Sequence, residues 1–173
     1  MFNQGDVVVY RRHVCTVADV REKYFEDKDY LELHAVFEKS LKLYVSVEDA
    51  KPPILREPMT ADQAQELLDR IPDIGSIDEE QLKAQSSTAT LMERRVKEEY
   101  ERLLKTLDPA DLVPVLRATS ARTAKREAAG RPIAATDKKY KDLAEQFLCY
   151  ELSLSLGLEY DQVKALVEER LQA

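Results

Sequence analysis

Tyr30-Leu31-Glu32-Leu33-His34-Ala35-Val36-Phe37, followed after a three-residue link by Leu41-Lys42-Leu43-Tyr44-Val45-Ser46-Val47, decides the fold of the N-terminal third. In the first run Leu31, Leu33, Ala35 and Phe37 alternate with Glu32, His34 and Val36. In the second, Leu41, Leu43, Val45 and Val47 alternate with Lys42, Tyr44 and Ser46. Successive side chains of a strand point to opposite faces, so a period of two predicts half-buried antiparallel strands. The link Glu38-Lys39-Ser40 has hairpin length. Working back toward the N-terminus, Phe25-Glu26-Asp27-Lys28 predicts a turn, and Val14-Cys15-Thr16-Val17-Ala18-Asp19-Val20 and Asp6-Val7-Val8-Val9-Tyr10 predict two further strands. Four or five short strands within about 50 residues predict a small SH3-like or Tudor-like β-barrel.

The chain changes character at Lys51-Pro52-Pro53, where consecutive prolines remove backbone donors and mark a linker or an edge segment. Everything downstream reads as helix. Thr60 with Gln63 predicts a capping box ahead of Ala64, Leu67, Leu68 and Ile71, and this helix stops before Pro72. Ser76 with Glu79 predicts a second box. The segment it opens, weakly apolar through Gln85-Ser86-Ser87-Thr88 and stronger from Val96 to Leu107, reads as one long helix or two. Asp108-Pro109 predicts a cap and a first-turn proline, with Pro114 kinking that helix or displacing its start. Thr136-Asp137 opens a helix that Gly157 interrupts, and Asp161 is expected to cap the last one. The predicted class is mixed with two domains, a barrel over residues 1–56 and an all-α helical domain over residues 57–173.

With 173 residues, 44% hydrophobic and 34% charged, the chain can bury one substantial core or two small ones. No apolar run reaches the roughly 20 residues of a membrane-spanning helix. The opening Met1-Phe2-Asn3-Gln4-Gly5-Asp6 has none of the features of a secretion signal, so the cytoplasm is the expected location. Cys15 and Cys149 match no zinc or redox spacing and read as buried thiols. No metal or other cofactor is expected.

Candidate chemistry is sparse. His13 and Cys15 could in principle form a nucleophilic pair, but no third orienting residue is evident, and four glycines leave little backbone for a phosphate cradle. A non-enzymatic binding protein is therefore expected. Its most distinctive stretch runs from Arg117 to Lys141, with eight basic residues against two acidic ones in a chain whose net charge is −7. This stretch spans the end of one predicted helix and the start of the next, and it can present Lys and Arg along a helical corner suited to phosphates. The competing interpretation is an ordinary solvated helical face.

Several segments together resemble the CarD/CdnL family of bacterial RNA-polymerase-binding transcription regulators. Phe2-Asn3-Gln4-Gly5-Asp6-Val7-Val8-Val9-Tyr10 resembles that family's F-x-x-G-D-x-V-V-Y opening, and residues 14–20 resemble the strand that follows it. Leu43-Tyr44-Val45-Ser46-Val47-Glu48-Asp49 resembles its Y-V-P-V-x-N strand, with serine in place of the usual proline. Leu55-Arg56-Glu57-Pro58 and Ile71-Pro72-Asp73-Ile74 resemble its linker region. Lys138-Lys139-Tyr140 through Glu151-Leu152-Ser153-Leu154-Ser155-Leu156-Gly157 resembles its E-K…E-L-A-L-A-L-G helix. The resemblance covers nearly the whole chain.

It implies a monomeric regulator whose barrel docks through an edge strand on the RNA polymerase β subunit and whose helical domain contacts promoter DNA. The implied polymerase contacts are Leu43, Tyr44 and Val45, although Leu43 and Val45 serve equally well as barrel core with Tyr44 alone pointing out. The implied DNA contacts are Met92, Arg94, Arg95, Arg122, Lys125, Arg126, Arg131, Lys138 and Lys139. In one departure from the family, which commonly wedges a tryptophan at the minor groove, this chain has no tryptophan. If Met92-Glu93-Arg94-Arg95 aligns with the family's W-x-R-R, Met92 occupies the wedge position with far less stacking surface. An alignment using Tyr100 puts Ala89 there instead.

Overall fold

The computed structural model describes residues 1–173, and the chain divides into two compact units, one of residues 1–64 with 150–158 and one of residues 65–149 with 159–173. The first holds a five-stranded antiparallel sheet: β1 (Val7–Tyr10), β2 (His13–Phe25), β3 (Lys28–Ala35), β4 (Lys42–Ser46) and β5 (Leu55–Arg56), in the order β4-β3-β2-β1-β5. The end strands β4 and β5 are not bonded to each other, so the sheet is open where a closed barrel was expected. The alternating residues sort as their period requires. Leu31, Leu33, Ala35 and Val45 join Val8, Cys15, Val17 and Leu55 in one core, with Leu41 and Leu43 packed against it.

β2 and β3 form a longer hairpin than the apolar pattern suggested, because residues 19–25 are exposed on both faces and carry no burial signal. The turn is nevertheless where expected. Glu26 and Asp27 both have positive φ, 50° and 58°, the conformation that suits a two-residue hairpin connection to the twist of its strands. Residues 150–158 complete the first unit. The Tyr150 ring stacks on Phe37 with centroids 4.5 Å apart, and the Glu151 carboxylate accepts two hydrogen bonds of 2.7 Å from the Arg56 guanidinium and one of 2.9 Å from the Met59 amide.

Six α-helices follow the sheet: α1 (Ala61–Arg70), α2 (Glu79–Ala84), α3 (Ala89–Lys105), α4 (Leu112–Ala128), α5 (Ala135–Leu156) and α6 (Tyr160–Gln172). The Thr60–Gln63 capping box forms in both directions. Ser76 does not cap α2; Asp78 does, accepting from the Gln81 amide, and Thr88 separately caps α3, so the ambiguous segment is two helices. Asp108 caps a short 3₁₀ turn at Pro109–Asp111, which moves the start of α4 to Leu112. Pro114 then falls in the first turn, where its missing N–H has no intrahelical acceptor to lose. Glu159, not Asp161, caps α6, through a reciprocal box with Gln162. No helix is long and apolar enough to cross a membrane.

In the second unit, the Arg117 side chain donates to the carbonyls of Ile71, Ile74 and Leu171 at 2.8, 2.6 and 2.9 Å. One cation thereby engages three backbone acceptors, of which the Ile71 carbonyl also accepts the Ile74 amide at 3.1 Å.

Candidate functional site

β4 lies at an edge of the sheet and pairs only with β3, in the register Leu33↔Leu43 and Leu31↔Val45. The Ala35 amide donates to the Leu41 carbonyl at 3.0 Å, which marks that pair as a hydrogen-bonded one. Hydrogen-bonded pairs recur every second residue in an antiparallel ladder, so Leu43 and Val45 also bond inward to β3. The main-chain N–H and C=O groups of Lys42, Tyr44 and Ser46 therefore face away from the sheet. The side chains obey the complementary rule: Val45 is buried and Leu43 packs on the core, whereas Tyr44 lies on the opposite face. Of the three residues singled out from the sequence, Tyr44 combines an outward side chain with an outward backbone. Leu43 and Val45 are held in the core.

The face that carries Tyr44 is aromatic. Its ring stacks on Tyr24 at 5.0 Å with an interplanar angle of 10°, Tyr24 meets Tyr30 edge-on at 5.8 Å, and Phe25 meets Tyr30 edge-on at 6.5 Å. Tyr24 and Phe25 are 49% and 58% exposed, among the few large apolar side chains left in solvent. The Arg21 guanidinium lies 5.7 Å from the Tyr24 centroid and donates to Glu32 at 2.5 Å, while the His34 ring meets the other Glu32 oxygen at 2.7 Å. These bonds from His34 and Arg21 hold the Glu32 carboxyl below its usual range. Burial, together with the neighbouring Glu32 charge, pushes the Tyr44 phenol up and keeps it neutral. Sequence reasoning missed Tyr24, Lys42 and Ser46. The signal for Tyr24 was its position beside the hairpin turn, and the two backbone sites become visible only once the pairing parity of β4 is known.

The expected DNA contacts are dispersed and differently employed. Arg122 points inward. It bonds Glu79 at 2.8 Å, Glu93 at 2.6 and 2.7 Å, and both oxygens of Asp137 at 3.2 Å. Burial opposes its charge, but the hydrogen bonds to Glu93 and Glu79 outweigh that and raise its pKa. Asp137 is 2% exposed and also accepts from the Tyr100 hydroxyl at 2.9 Å, so Tyr100 of α3 and Arg122 of α4 close around one buried carboxylate of α5. Arg126 donates to the Pro132 carbonyl at 2.7 Å, closing the Gly130 turn. Arg94 pairs with Glu98 at 3.0 Å and Lys138 with Asp142 at 3.0 Å. Lys139 lies over the Tyr140 ring at 5.3 Å. Arg95 is half-buried with its Nε lacking a hydrogen-bond partner. Met92 is half-buried in the first turn of α3, beside Thr88 and Lys83. Lys125 and Arg131 are exposed surface cations.

The Cys15 thiol donates weakly to the His13 carbonyl at 3.5 Å, while the His13 ring faces Glu38 at 3.1 Å. Burial pushes the Cys15 thiol up to about 12, so it stays protonated where a nucleophile must ionise. No protein-family model and no curated protein matches the chain.

Proposed function

We propose that this chain is a CarD-like transcription regulator. Its first unit is a Tudor-like module that binds the RNA polymerase β subunit, and its second unit modulates the promoter complex through DNA contacts. The observation that carries this reading is the open edge of β4, with the main-chain groups of Lys42, Tyr44 and Ser46 turned outward beside the Tyr24–Tyr44 stack. An edge of this kind is a template for strand addition, in which backbone bonds supply affinity and adjoining side chains supply specificity. The likeness of residues 2–10 and 43–49 to the family's polymerase-binding strands favours polymerase as the owner of the added strand.

Tyr44→Pro tests it directly. Proline removes the outward N–H of Tyr44 while leaving the inward bonds of Leu43 and Val45, a substitution that an edge strand tolerates. The full chain is expected to retain the β subunit from purified polymerase, and Tyr44→Pro to retain at least about tenfold less, a loss of about 1.4 kcal/mol, with stability lowered only by what losing the Tyr24 stack costs, about 0.5–1.5 kcal/mol. Failure of the unaltered chain to retain polymerase overturns the reading.

A second reading, an adaptor of the same fold with little or no DNA binding, is favoured by the internal employment of Arg122, Arg126, Arg94 and Lys138. Binding of the full chain to fork-junction DNA at two salt concentrations separates the two. A DNA-contacting regulator shows a steep salt dependence, with a slope that falls by roughly 0.9 for each phosphate contact removed at Lys125, Arg131 or Lys139. The adaptor shows no binding even at low salt.

A further inference from the structure

A cavity of about 510 Å³ opens in the second unit between α4, α5 and α6. Its volume lies within the range of roughly 300–1,000 Å³ typical of small-molecule sites. Leu116, Val167 and Leu171 give it apolar walls, and the buried Cys149 closes one side. The charges around it are unequal. Lys164 is matched by Glu145 at 3.5 Å, and Arg117 is held by three backbone carbonyls. Lys141 lines the same cavity, half-buried and without a carboxylate within ion-pair distance, whereas the remaining acid, Glu168, is exposed to solvent.

We infer that this cavity binds a small organic monoanion with an apolar body, its carboxylate paired with the Lys141 ammonium and its hydrocarbon part lying against Leu116, Val167 and Leu171. The chemistry excludes the neighbouring ligand classes. A polyanion such as a nucleotide would bring several charges to one unmatched lysine and meet Glu145 and Glu168. An organic cation would meet Lys141, Lys164 and Arg117. A purely apolar molecule would leave the Lys141 charge without a partner in the site. Binding is non-covalent, since burial pushes the Cys149 thiol up to about 12 and leaves it protonated. This site is independent of the polymerase-binding reading, because every residue that lines it belongs to the second unit.

The test is a titration of the full chain with decanoate, followed by isothermal calorimetry and by amide shifts in an NMR spectrum. Saturable binding is expected, with shifts centred on Cys149 and Val167. Lys141→Glu is expected to weaken it at least about tenfold, which corresponds to about 1.4 kcal/mol. Ala121→Trp, made at an exposed residue on the cavity rim, is expected to abolish binding by filling the space while α4 remains folded. Decylamine, with the same chain and the opposite charge, is expected not to compete. The inference is overturned by an absence of saturable decanoate binding, by equal affinity of the parent and Lys141→Glu proteins, by undiminished binding to a folded Ala121→Trp protein, or by decylamine binding as tightly as decanoate.

Discussion

The β4 edge and the Arg117–Lys141 stretch are both rich in groups that can bind a partner, yet they dispose of those groups in opposite ways. Along β4 the polar groups that matter belong to the backbone, and the parity of the ladder turns half of them outward whatever the side chains are. In the basic stretch the polar groups are long side chains, free to turn back and find carboxylates or carbonyls in their own unit, as Arg117, Arg122 and Arg126 do. A count of charges along a sequence therefore overstates what a helical surface offers, whereas an edge strand offers what its pairing leaves over.

The largest expected effect breaks this contrast at its centre. Arg122→Met leaves Asp137 buried beside Tyr100 with no cation and strands Glu79 and Glu93 around it. Removing one partner of a buried ionic group costs about 3–5 kcal/mol, so urea unfolding should show a loss of that order. A loss below about 1 kcal/mol would mean that Arg122 is available to a ligand after all.

Next in size is a change on the aromatic face. Tyr24→Ala removes the stack on Tyr44 and the edge contact with Tyr30, a pair worth about 0.5–1.5 kcal/mol beyond area burial. Stability should fall by that amount and polymerase retention should fall with it. Retention that survives with the stability loss intact would assign the contact to the β4 backbone alone.

A pH dependence sharpens the same face. Glu32 has its folded pKa depressed by His34 and Arg21, so its contribution is fully present above the unfolded carboxyl value and is lost as pH falls through the lowered folded value. Acid titration should therefore loosen the β2–β3 hairpin below about pH 4.3, and Glu32→Gln should remove that step from the fluorescence of the hairpin tyrosines.

The smallest effect is expected at Lys138, whose exposed pair with Asp142 sits one helical turn along α5. Lys138→Gln should change stability by no more than about 0.5 kcal/mol. Any larger loss of DNA affinity than of stability would place Lys138 among the phosphate contacts.

Much of the first unit was legible in the sequence because strand burial has a period of two and hairpin turns need special residues. Leu31, Leu33, Ala35, Leu43 and Val45 sorted to the core by alternation, although Glu32 and Ser46 on the other face are also buried, 5% and 6% exposed, and Glu26-Asp27 marked the turn. The outer half of the β2–β3 hairpin was not legible, because it is held by strand pairing without a core to impose a pattern. Helix starts were legible at Thr60, where a threonine–glutamine box stands alone, and misplaced where several capping residues compete within a few positions, as at Ser76 against Asp78 and at Asp161 against Glu159. The outward backbone of β4 and the lysine left unmatched in the α4–α5–α6 cavity had no local signature, since each is defined by partners distant in the chain.

By itself the sequence determined where most strands and helices lie, because local periodicity, prolines and caps act over a few residues, but not the short strand β5 at Leu55–Arg56, which falls in the stretch read as helical and forms only by pairing with β1. It also determined that the chain carries a strongly basic stretch. Only the tertiary structure decided which of those cations are consumed. Arg122 meets Glu79 and Glu93 across 43 and 29 residues of chain, and an ion pair between groups so far apart in sequence forms only when packing brings them within reach of Coulomb attraction.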